Sequence, residues 1–350
     1  MRSEGLDMSG ASRRRRPPLG VRLVYGLMRE PDLDALSDDE LIAVRDAQNR
    51  AVVSGPVRVL TGRPDPGAAI AWRRLELPDR VLPVRVYRPA RGPAGPGAGL
   101  PLVVHVHGGG FAGTAAQCDW VSSRIAARLP AVVVSVEHRL VTPGTPGVPF
   151  AAAVEDGWDA LRHVVEHAAQ WDVDAGRVAV MGESAGGAVA ALAAVRAARS
   201  GLPLRAQVLV NPCTDLTPTA LDHPSVAEYA DSPTLTRARL ELFRRLAVPE
   251  GADARAVSPM YAEDLGGLAP ALVVVPSLDP LADHGRAYAA RLREAGTPAR
   301  VAEYRRAGHA FISMPTLVPA ARPARREILA FLRGHLRPAT ASSAAEAADR

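Results

Sequence analysis

The 350-residue chain contains no lysine, so arginine supplies its whole basic count of 42. Against 37 acidic residues this gives a net charge of +5 at pH 7. A basic surface can bind nucleic acid, but these arginines are spread along the chain and Arg13–Arg16 is the only compact run. No recognition module or aromatic stacking motif accompanies them. We therefore expect no nucleic-acid partner.

Cysteine and long apolar runs are also scarce. The two cysteines, Cys118 and Cys213, are too few for a disulfide framework. We expect both thiols to stay reduced in an intracellular setting. No apolar run approaches the roughly 18 residues that a membrane span needs, and Arg22 and Arg29 interrupt the stretch that could imitate an export signal. Together these absences predict a cytoplasmic protein without a membrane span.

Over the middle of the chain, short apolar runs alternate with helical patterns. Continuous apolar runs are typical of strands buried on both faces of a parallel sheet, and they cover Leu102–Val106, Ala131–Val136, Arg177–Met181, Ala206–Val210 and Ala271–Val275. An antiparallel pair at Ile70–Leu77 and Val81–Pro89 precedes them, and Ala299–Tyr304 is a last strand. Helical patterns fill the intervals, at Gln117–Leu129, Pro149–Gln170, Ser184–Ser200, Leu281–Ala295 and Arg322–Leu336. This alternation predicts an α/β fold with a mostly parallel, doubly wound sheet.

Two further segments have helical patterns of their own. The first covers residues 19–60 and includes a capping box that begins at Ser37. The second, about residues 213–268, is inserted beyond the carboxyl end of a strand, where α/β proteins bind ligands. We expect the two segments to form a helical lid over a main domain of residues 61–337.

The ends of the chain differ in composition from the rest. Residues 1–18 are polar and basic and end in two prolines, and residues 338–350 are mostly small and polar. Such segments cannot bury enough apolar surface to fold, so both predict disordered tails. The stretch Gly92–Gly99 is rich in glycine and proline and predicts a loop between strands.

The sequence Gly-Glu-Ser-Ala-Gly-Gly at residues 182–187 stands between a predicted strand and a predicted helix. This is the context of a nucleophile elbow, in which a serine occupies a sharp turn between small residues. The turn lifts the Ser184 hydroxyl above the sheet and points the amino end of the helix at the reacting carbon. The motif alone leaves an alternative open, namely an ordinary glycine-rich turn with a capping serine.

Three consecutive glycines follow His107, at the carboxyl end of the predicted strand Leu102–Val106. Because glycine has no side chain, the backbone here can approach a ligand closely and turn its N–H groups inward. Such donors stabilise an oxyanion that develops in a transition state, typically by about 3 kcal/mol each. The N–H group of Ala185 would supply a further donor. A flexible turn is the alternative, but the position at the end of a strand argues against it.

An acid and a base complete this pattern. Asp279 follows the predicted strand Ala271–Val275 and also suits the N-cap of the next helix. Asp283 and Asp215 are weaker rivals for the same role. Of the 9 histidines, His309 is the one that follows the acid in a loop after a strand. The resulting order of serine, aspartate and histidine is typical of hydrolases with a nucleophile elbow.

Two other histidines, His105 and His107, are spaced to share one face of a strand. Histidines so placed can ligate a metal, but the sequence has no third ligand residue at a spacing suited to a metal site. A serine nucleophile activated by a histidine requires neither metal nor cofactor. We therefore predict no metal site and no cofactor.

Taken together, these motifs resemble the hormone-sensitive-lipase-like family of α/β hydrolases, which carries an HGGG motif ahead of the nucleophile elbow. The resemblance covers roughly residues 70–336 and rests on HGGGF at 107, VED at 154, GESAGG at 182, DPLAD at 279, YAARLREAG at 288 and GHAF at 308. It implies an α/β-hydrolase fold with a catalytic triad of Ser184 as nucleophile, His309 as base and Asp279 as orienting acid. It also implies oxyanion donors at Gly109, Gly110 and Ala185.

The chain departs from the family pattern around the predicted pocket. EHRL at residues 137–140 stands where the family usually has DYRL, and a proline-rich stretch at 143–149 replaces APEHPFP. Ala188, His284 and Ala310 replace a frequent Asn, Glu and Gly. None of these changes removes a residue of the predicted triad. These departures therefore do not alter the predicted chemistry, but they leave the identity of the substrate undetermined.

We therefore expect a serine carboxylesterase that acts on small-molecule esters. Acyl chains of about two to eight carbons are favoured, because the lid is modest and the sequence has no evident apolar anchor for a lipid surface. The alternative with the same site is a deacylase, deacetylase or acyl-eliminating enzyme for a specialised metabolite. A non-catalytic binder of this fold would lack a triad residue, and none is missing. The sequence is compatible with a homodimer.

Overall fold

The computed structural model describes residues 16–27, 33–91, 99–147 and 149–338. The tails predicted at 1–18 and 338–350 lie mostly outside these ranges, as does most of the loop predicted at Gly92–Gly99. Among the residues described, no helix has both the length and the apolar character needed to cross a membrane.

Eight strands form one sheet within the described residues. They are β1 (Ala68–Glu76), β2 (Val81–Pro89), β3 (Leu100–Val106), β4 (Val132–Val136), β5 (Val173–Glu183), β6 (Ala206–Val210), β7 (Ala271–Pro276) and β8 (Ala299–Tyr304). Their spatial order is β1-β2-β4-β3-β5-β6-β7-β8. β2 pairs antiparallel with β1 and with β4, and every other pair in the sheet is parallel. The predicted α/β class and mostly parallel sheet are confirmed.

Helices connect the strands and precede them. In the described part of the chain they are α1 (Leu19–Leu27), α2 (Asp38–Val52), α3 (Gly55–Thr61), α4 (Asp119–Arg128), α5 (Pro149–Glu166), α6 (Ala185–Ser200), α7 (Pro224–Glu228), α8 (Arg237–Ala247), α9 (Ala282–Glu294) and α10 (Ala321–His335). The five helices predicted between and after the strands appear as α4, α5, α6, α9 and α10. Their ends differ from the predicted ones by a few residues because short 3₁₀ turns flank α4 and α5.

The sheet is covered on both faces, which explains the continuous apolar runs. Along β4, Val132 and Val134 point into one core while Val133 points into the other. Helices α5, α6 and α9 cover the first face, and α4 and α10 cover the second. Fully burying a valine side chain contributes roughly 1.5–3 kcal/mol, so these short strands are held mainly by packing. Their carboxyl ends open on the same edge of the sheet.

The N-terminal helices lie beside that edge. Val21 of α1 is buried, and the Tyr25 hydroxyl donates to the Met314 sulfur at 3.5 Å. At the start of α2, the predicted capping box is present: the Ser37 hydroxyl accepts from the Glu40 N–H, and the Ser37 N–H donates to the Glu40 carboxylate at 2.9 Å. This segment therefore packs on the main domain, next to the loop that carries His309.

The outer side of α1 corrects one expectation from the sequence. Leu19, Leu23 and Leu27 are 63%, 57% and 86% exposed, and their spacing of four residues places them on one side of the helix. The helix has only nine residues and packs along one side, so its other side faces solvent. The expectation that the chain has no exposed apolar anchor is therefore wrong for α1.

The segment inserted between β6 and β7 contains α7 and α8 with several 3₁₀ turns. Helix α8 lies against α5, where the rings of Phe243 and Phe150 meet edge to face with centroids 5.7 Å apart. Edge-to-face contact is a favoured arrangement for aromatic rings. It fixes the inserted segment above the carboxyl ends of the strands, on the opposite side of the sheet edge from α1.

Candidate active site

Ser184 occupies a strained turn between β5 and α6. Its backbone has φ 52° and ψ −117°, a conformation that residues with a side chain rarely adopt. A Cβ atom at Gly182 would overlap the carbonyl oxygen of Gly186, and one at Gly186 would overlap the carbonyl oxygen of His107. The turn is therefore possible only because the residues two positions before and two positions after Ser184 are glycine. Its geometry is that of a nucleophile elbow.

A chain of hydrogen bonds joins Ser184, His309 and Asp279. The Nε2 atom of His309 lies 2.9 Å from the Ser184 hydroxyl oxygen, and its Nδ1 atom lies 2.9 Å from Asp279 Oδ2. The three residues follow β5, β8 and β7, so the carboxyl ends of three parallel strands bring them together. Asp279 is fully buried, and its other oxygen accepts the Leu281 N–H at 2.9 Å. The structure places the three predicted residues in one linear network.

The rival residues lie elsewhere. Asp283 Oδ2 accepts the Ser225 N–H at 2.9 Å, and its other oxygen is 2.8 Å from Arg286. Asp215 accepts the Thr217 N–H at 2.7 Å within the inserted segment. Neither carboxylate is hydrogen-bonded to His309, whereas that of Asp279 is.

Two candidate oxyanion donors lie in the loop after β3, and the third, Ala185, begins α6. Gly109 has φ 87°, which favours glycine. In the described part of the chain, the N–H groups of Gly109, Gly110 and Ala185 make no hydrogen bond to the protein. A side chain fixes the loop after β3: the Gly108 carbonyl oxygen accepts a hydrogen bond from the Gln117 side-chain amide at 3.0 Å. The role of these donors as an oxyanion hole stays a prediction.

Two of the departures from the family pattern hold this loop in place. The Glu137 carboxylate accepts from the Thr114 hydroxyl at 2.9 Å and from the Ala115 N–H at 2.8 Å, and burial raises its pKa. The ring of His138 stacks on His107 with centroids 4.1 Å apart. Glu137 and His138 therefore support the loop from behind rather than lining the space next to Ser184.

Glu183 is a residue of the site that the motif analysis did not single out. It precedes Ser184, is 2% exposed, and accepts a hydrogen bond from the Ser313 hydroxyl at 3.1 Å. Burial raises the pKa of its carboxyl group to about 7. Because Ser313 lies in the turn that follows His309, this contact ties the serine turn to the histidine loop. A carboxylate shortly after the apolar run Val178–Met181 was the signal for it.

Comparison with known proteins agrees with this geometry. A family model described as the alpha/beta hydrolase fold matches residues 103–313, more than half of the chain. The chain therefore belongs to the α/β-hydrolase family, in its hormone-sensitive-lipase-like group of esterases, and is a carboxylic-ester hydrolase. The resemblance, the fold and the enzyme class expected from the sequence are confirmed.

Individual relatives include esterases from bacteria and archaea. The esterase LipI of Mycobacterium tuberculosis is 38% identical over 261 residues, which cover 73% of this chain and 79% of the relative. The ethyl acetate hydrolase of Pseudomonas putida is 32% identical over 287 residues, 79% of this chain and 86% of the relative. The solved structure of a hyperthermophilic esterase from the archaeon Pyrobaculum calidifontis has a TM-score of 0.79 at 31% identity, and covers 91% of this chain and 99% of its own.

Near this site, the buried His284 predicts a pH-dependent loss of stability. Its Nε2–H donates to the Ala220 carbonyl at 3.1 Å, and burial lowers its pKa from 6.5 to about 4. The folded protein therefore keeps this imidazole neutral, and the stability that it contributes is complete above about pH 6.5 and lost as the pH falls toward 4. His284→Gln, whose amide can still donate to Ala220, should remove this dependence.

The test is the free energy of unfolding from pH 7 to pH 4. The wild type should lose up to about 3 kcal/mol more than His284→Gln over this range. The same change at the partly exposed His335 is the control and should alter the pH dependence much less. Parallel curves for the wild type and His284→Gln would contradict the buried neutral imidazole.

Proposed function

We propose that the protein hydrolyses small esters of short- to medium-chain carboxylic acids, with acyl chains of about two to eight carbons, through Ser184, His309 and Asp279. The observation that carries this proposal is the unbroken hydrogen-bonded chain from the Ser184 hydroxyl through the His309 imidazole to a fully buried Asp279. This is the arrangement by which a histidine activates a serine for acyl transfer.

In the first half of the reaction, the Ser184 oxygen attacks the ester carbonyl carbon while its proton passes to Nε2 of His309. Asp279 accepts the Nδ1–H bond, which fixes the tautomer that leaves Nε2 free, and its charge stabilises the imidazolium that forms. The carbonyl oxygen becomes an oxyanion, and we assign its stabilisation to the N–H groups of Gly109, Gly110 and Ala185.

The tetrahedral intermediate then breaks its bond to the alcohol oxygen, which leaves with the proton from Nε2 of His309. The acyl group remains as an ester on Ser184. In the second half, water attacks this ester and gives its proton to Nε2, and the Ser184 oxygen departs with that proton to release the carboxylic acid. Each proton transfer uses the same nitrogen, so no other acid or base is needed.

Acyl length is assigned from the space beside the oxyanion loop. The ring of Phe243 lies against Gly110 so closely that a Cβ atom there would overlap it. A substrate whose carbonyl oxygen rests on this loop therefore has an aromatic wall close to the reacting carbon. The relative from Pseudomonas putida is named for ethyl acetate, a two-carbon acyl ester, which fits a site limited in this way.

The N-terminal segment is assigned as part of the lid. Pro18 and Val21 line a small pocket together with Gly308 and His309. A segment in this position limits the access of water to the acyl-enzyme and shapes the entry of substrate. On this proposal the lid has two parts, residues 19–60 and the inserted segment at about 213–268, on either side of Ser184.

The first test is substitution of the triad. Ser184→Ala removes the nucleophile and should lower kcat for p-nitrophenyl butyrate by roughly 10⁴ to 10⁶-fold without unfolding the protein. His309→Ala should be comparably damaging because the two residues act as a unit. His284→Gln is the matched histidine control and should keep most activity.

Circular dichroism checks that each variant is folded, and labelling with a fluorophosphonate checks Ser184 directly. The label should attach to the wild type and not to Ser184→Ala. A folded Ser184→Ala protein with a tenth of wild-type turnover, or a wild type that hydrolyses the ester without taking up label at Ser184, would refute the assignment.

The second test concerns acyl length. Phe243→Ala removes the ring against Gly110, so the ratio of kcat/KM for p-nitrophenyl octanoate to that for the acetate should rise by about tenfold or more. Phe331→Ala makes the same change in α10, on the other face of the sheet, and should leave the ratio unchanged. An unaltered ratio in Phe243→Ala, with acetate turnover intact, would place the acyl chain elsewhere.

The third test is truncation. Removal of residues 1–16 takes away the arginine run and should change neither turnover nor stability. Removal of residues 1–55 exposes the pocket beside His309, so kcat/KM for the butyrate ester should fall by about tenfold or more and acyl preference should broaden. A soluble longer deletion with full activity and the original preference would show that this segment is no lid.

A further inference from the structure

Three buried side chains meet directly behind the Ser184 turn, on the side of the sheet that α4 covers. The ligand-type atoms of His105, Cys118 and Glu183 all lie within 4.8 Å of one another. From Glu183 Oε1 the distance is 3.7 Å to His105 Nε2 and 3.8 Å to the Cys118 sulfur. None of the three residues is more than 2% exposed. The ester-hydrolysis mechanism uses neither the imidazole nor the thiol.

The His105 ring is oriented as a metal ligand would be. Its Nδ1 atom lies 3.0 Å from the Ser122 hydroxyl oxygen, and donation of the Nδ1 proton to Ser122 leaves a lone pair on Nε2. In the part of the chain that the structure describes, this buried Nε2 has no hydrogen-bond partner. An unsatisfied buried polar atom costs about 1–3 kcal/mol. A cation bound between the three residues would remove that cost.

The donor set is one that zinc prefers. Thiolate, imidazole and carboxylate bind zinc at about 2.0–2.3 Å, and tetrahedral geometry then sets ligand atoms roughly 3.3–3.7 Å apart. Two of the three pairs are already near that spacing, so small side-chain rotations would close the site.

We propose that His105, Cys118 and Glu183 bind one zinc ion, held apart from the ester substrate by the sheet and the Ser184 turn. The two carboxylate oxygens of Glu183 have separate roles at this site. Oε1 faces the imidazole and the thiol, whereas Oε2 keeps its hydrogen bond from Ser313. Binding therefore needs no break in the contact between the serine turn and the histidine loop.

A bound ion would also act on catalysis, a consequence that rests on the proposed function. Glu183 directly precedes Ser184, whose hydroxyl oxygen lies 2.9 Å from His309 Nε2, and it accepts a hydrogen bond from Ser313 in the turn that follows His309. Zinc bound to the Glu183 carboxylate and to the Cys118 thiolate, whose proton passes to solvent, forms a group with no net charge. Glu183 then no longer offers a free negative charge to the imidazolium that forms on His309 during acyl transfer. Zinc should therefore lower kcat and leave KM nearly unchanged.

The test uses the full-length chain stripped of metal with a chelator and titrated with cadmium, a thiol-seeking probe with a thiolate-to-metal absorption band in the ultraviolet. One cadmium ion per chain should bind with this band, and zinc should displace it. Cys118→Ser should lose the band and weaken zinc binding by about tenfold or more. Cys213→Ser changes the other buried cysteine and should behave like the wild type.

Ser122→Ala is a second variant that keeps all three ligands. It removes only the partner that orients His105, and should weaken zinc binding by about tenfold. The proposal is overturned if the wild type shows no band, which would indicate an ordered water between the three residues, or if Cys118→Ser keeps the band. If zinc binds and kcat does not fall, only the link between the zinc site and His309 is refuted. If Ser184 takes up no fluorophosphonate, only the proposed function is refuted.

Discussion

The backbone turn at Ser184 is the constraint on which the rest of the site depends. A positive φ at a residue with a side chain costs about 1–3 kcal/mol and persists only where its surroundings enforce it. Here the Ser184 N–H donates to the Val210 carbonyl at 2.9 Å, and the Ser184 carbonyl accepts the Cys213 N–H at 3.0 Å. Both partners belong to β6 or the residues just after it. The turn therefore exists only when β5 and β6 are paired, so the site forms together with the centre of the sheet.

The buried carboxylates of Asp279 and Glu183, both near this turn, have different hydrogen-bond partners and therefore suit different roles. Asp279 accepts hydrogen bonds from His309 and from the Leu281 N–H, so both of its oxygens have donors. Glu183 has one strong donor, the Ser313 hydroxyl, and burial raises its pKa to about 7. A carboxylate whose two oxygens both accept hydrogen bonds can stabilise an imidazolium beside it, whereas a buried carboxylate with fewer donors suits a bound cation.

The two parts of the lid reach the site from different directions and are less constrained than the sheet. Val21 of α1 lies beside His309, and Phe243 of α8 lies against Gly110. Both helices use one side for this contact, and α1 leaves Leu23 and Leu27 exposed on the other. The chemistry therefore resides in the strand ends, where packing fixes geometry, while substrate choice depends on helices that can change without disturbing the sheet.

The sequence by itself determined the elements that obey local rules. Continuous apolar runs predicted the parallel strands. The glycines around a sharp turn identified Ser184 as the candidate nucleophile. Asp279 and His309 were identified as candidate acid and base because each follows a predicted strand. Only the tertiary structure decided which distant side chains meet. Glu183 joins His105 and Cys118, and Phe243 reaches Gly110, through the packing of separate elements. Helices and strands repeat at fixed spacings, so the spacing of apolar residues in the sequence reveals them. Contacts between residues far apart in the chain depend on how the folded layers pack against each other.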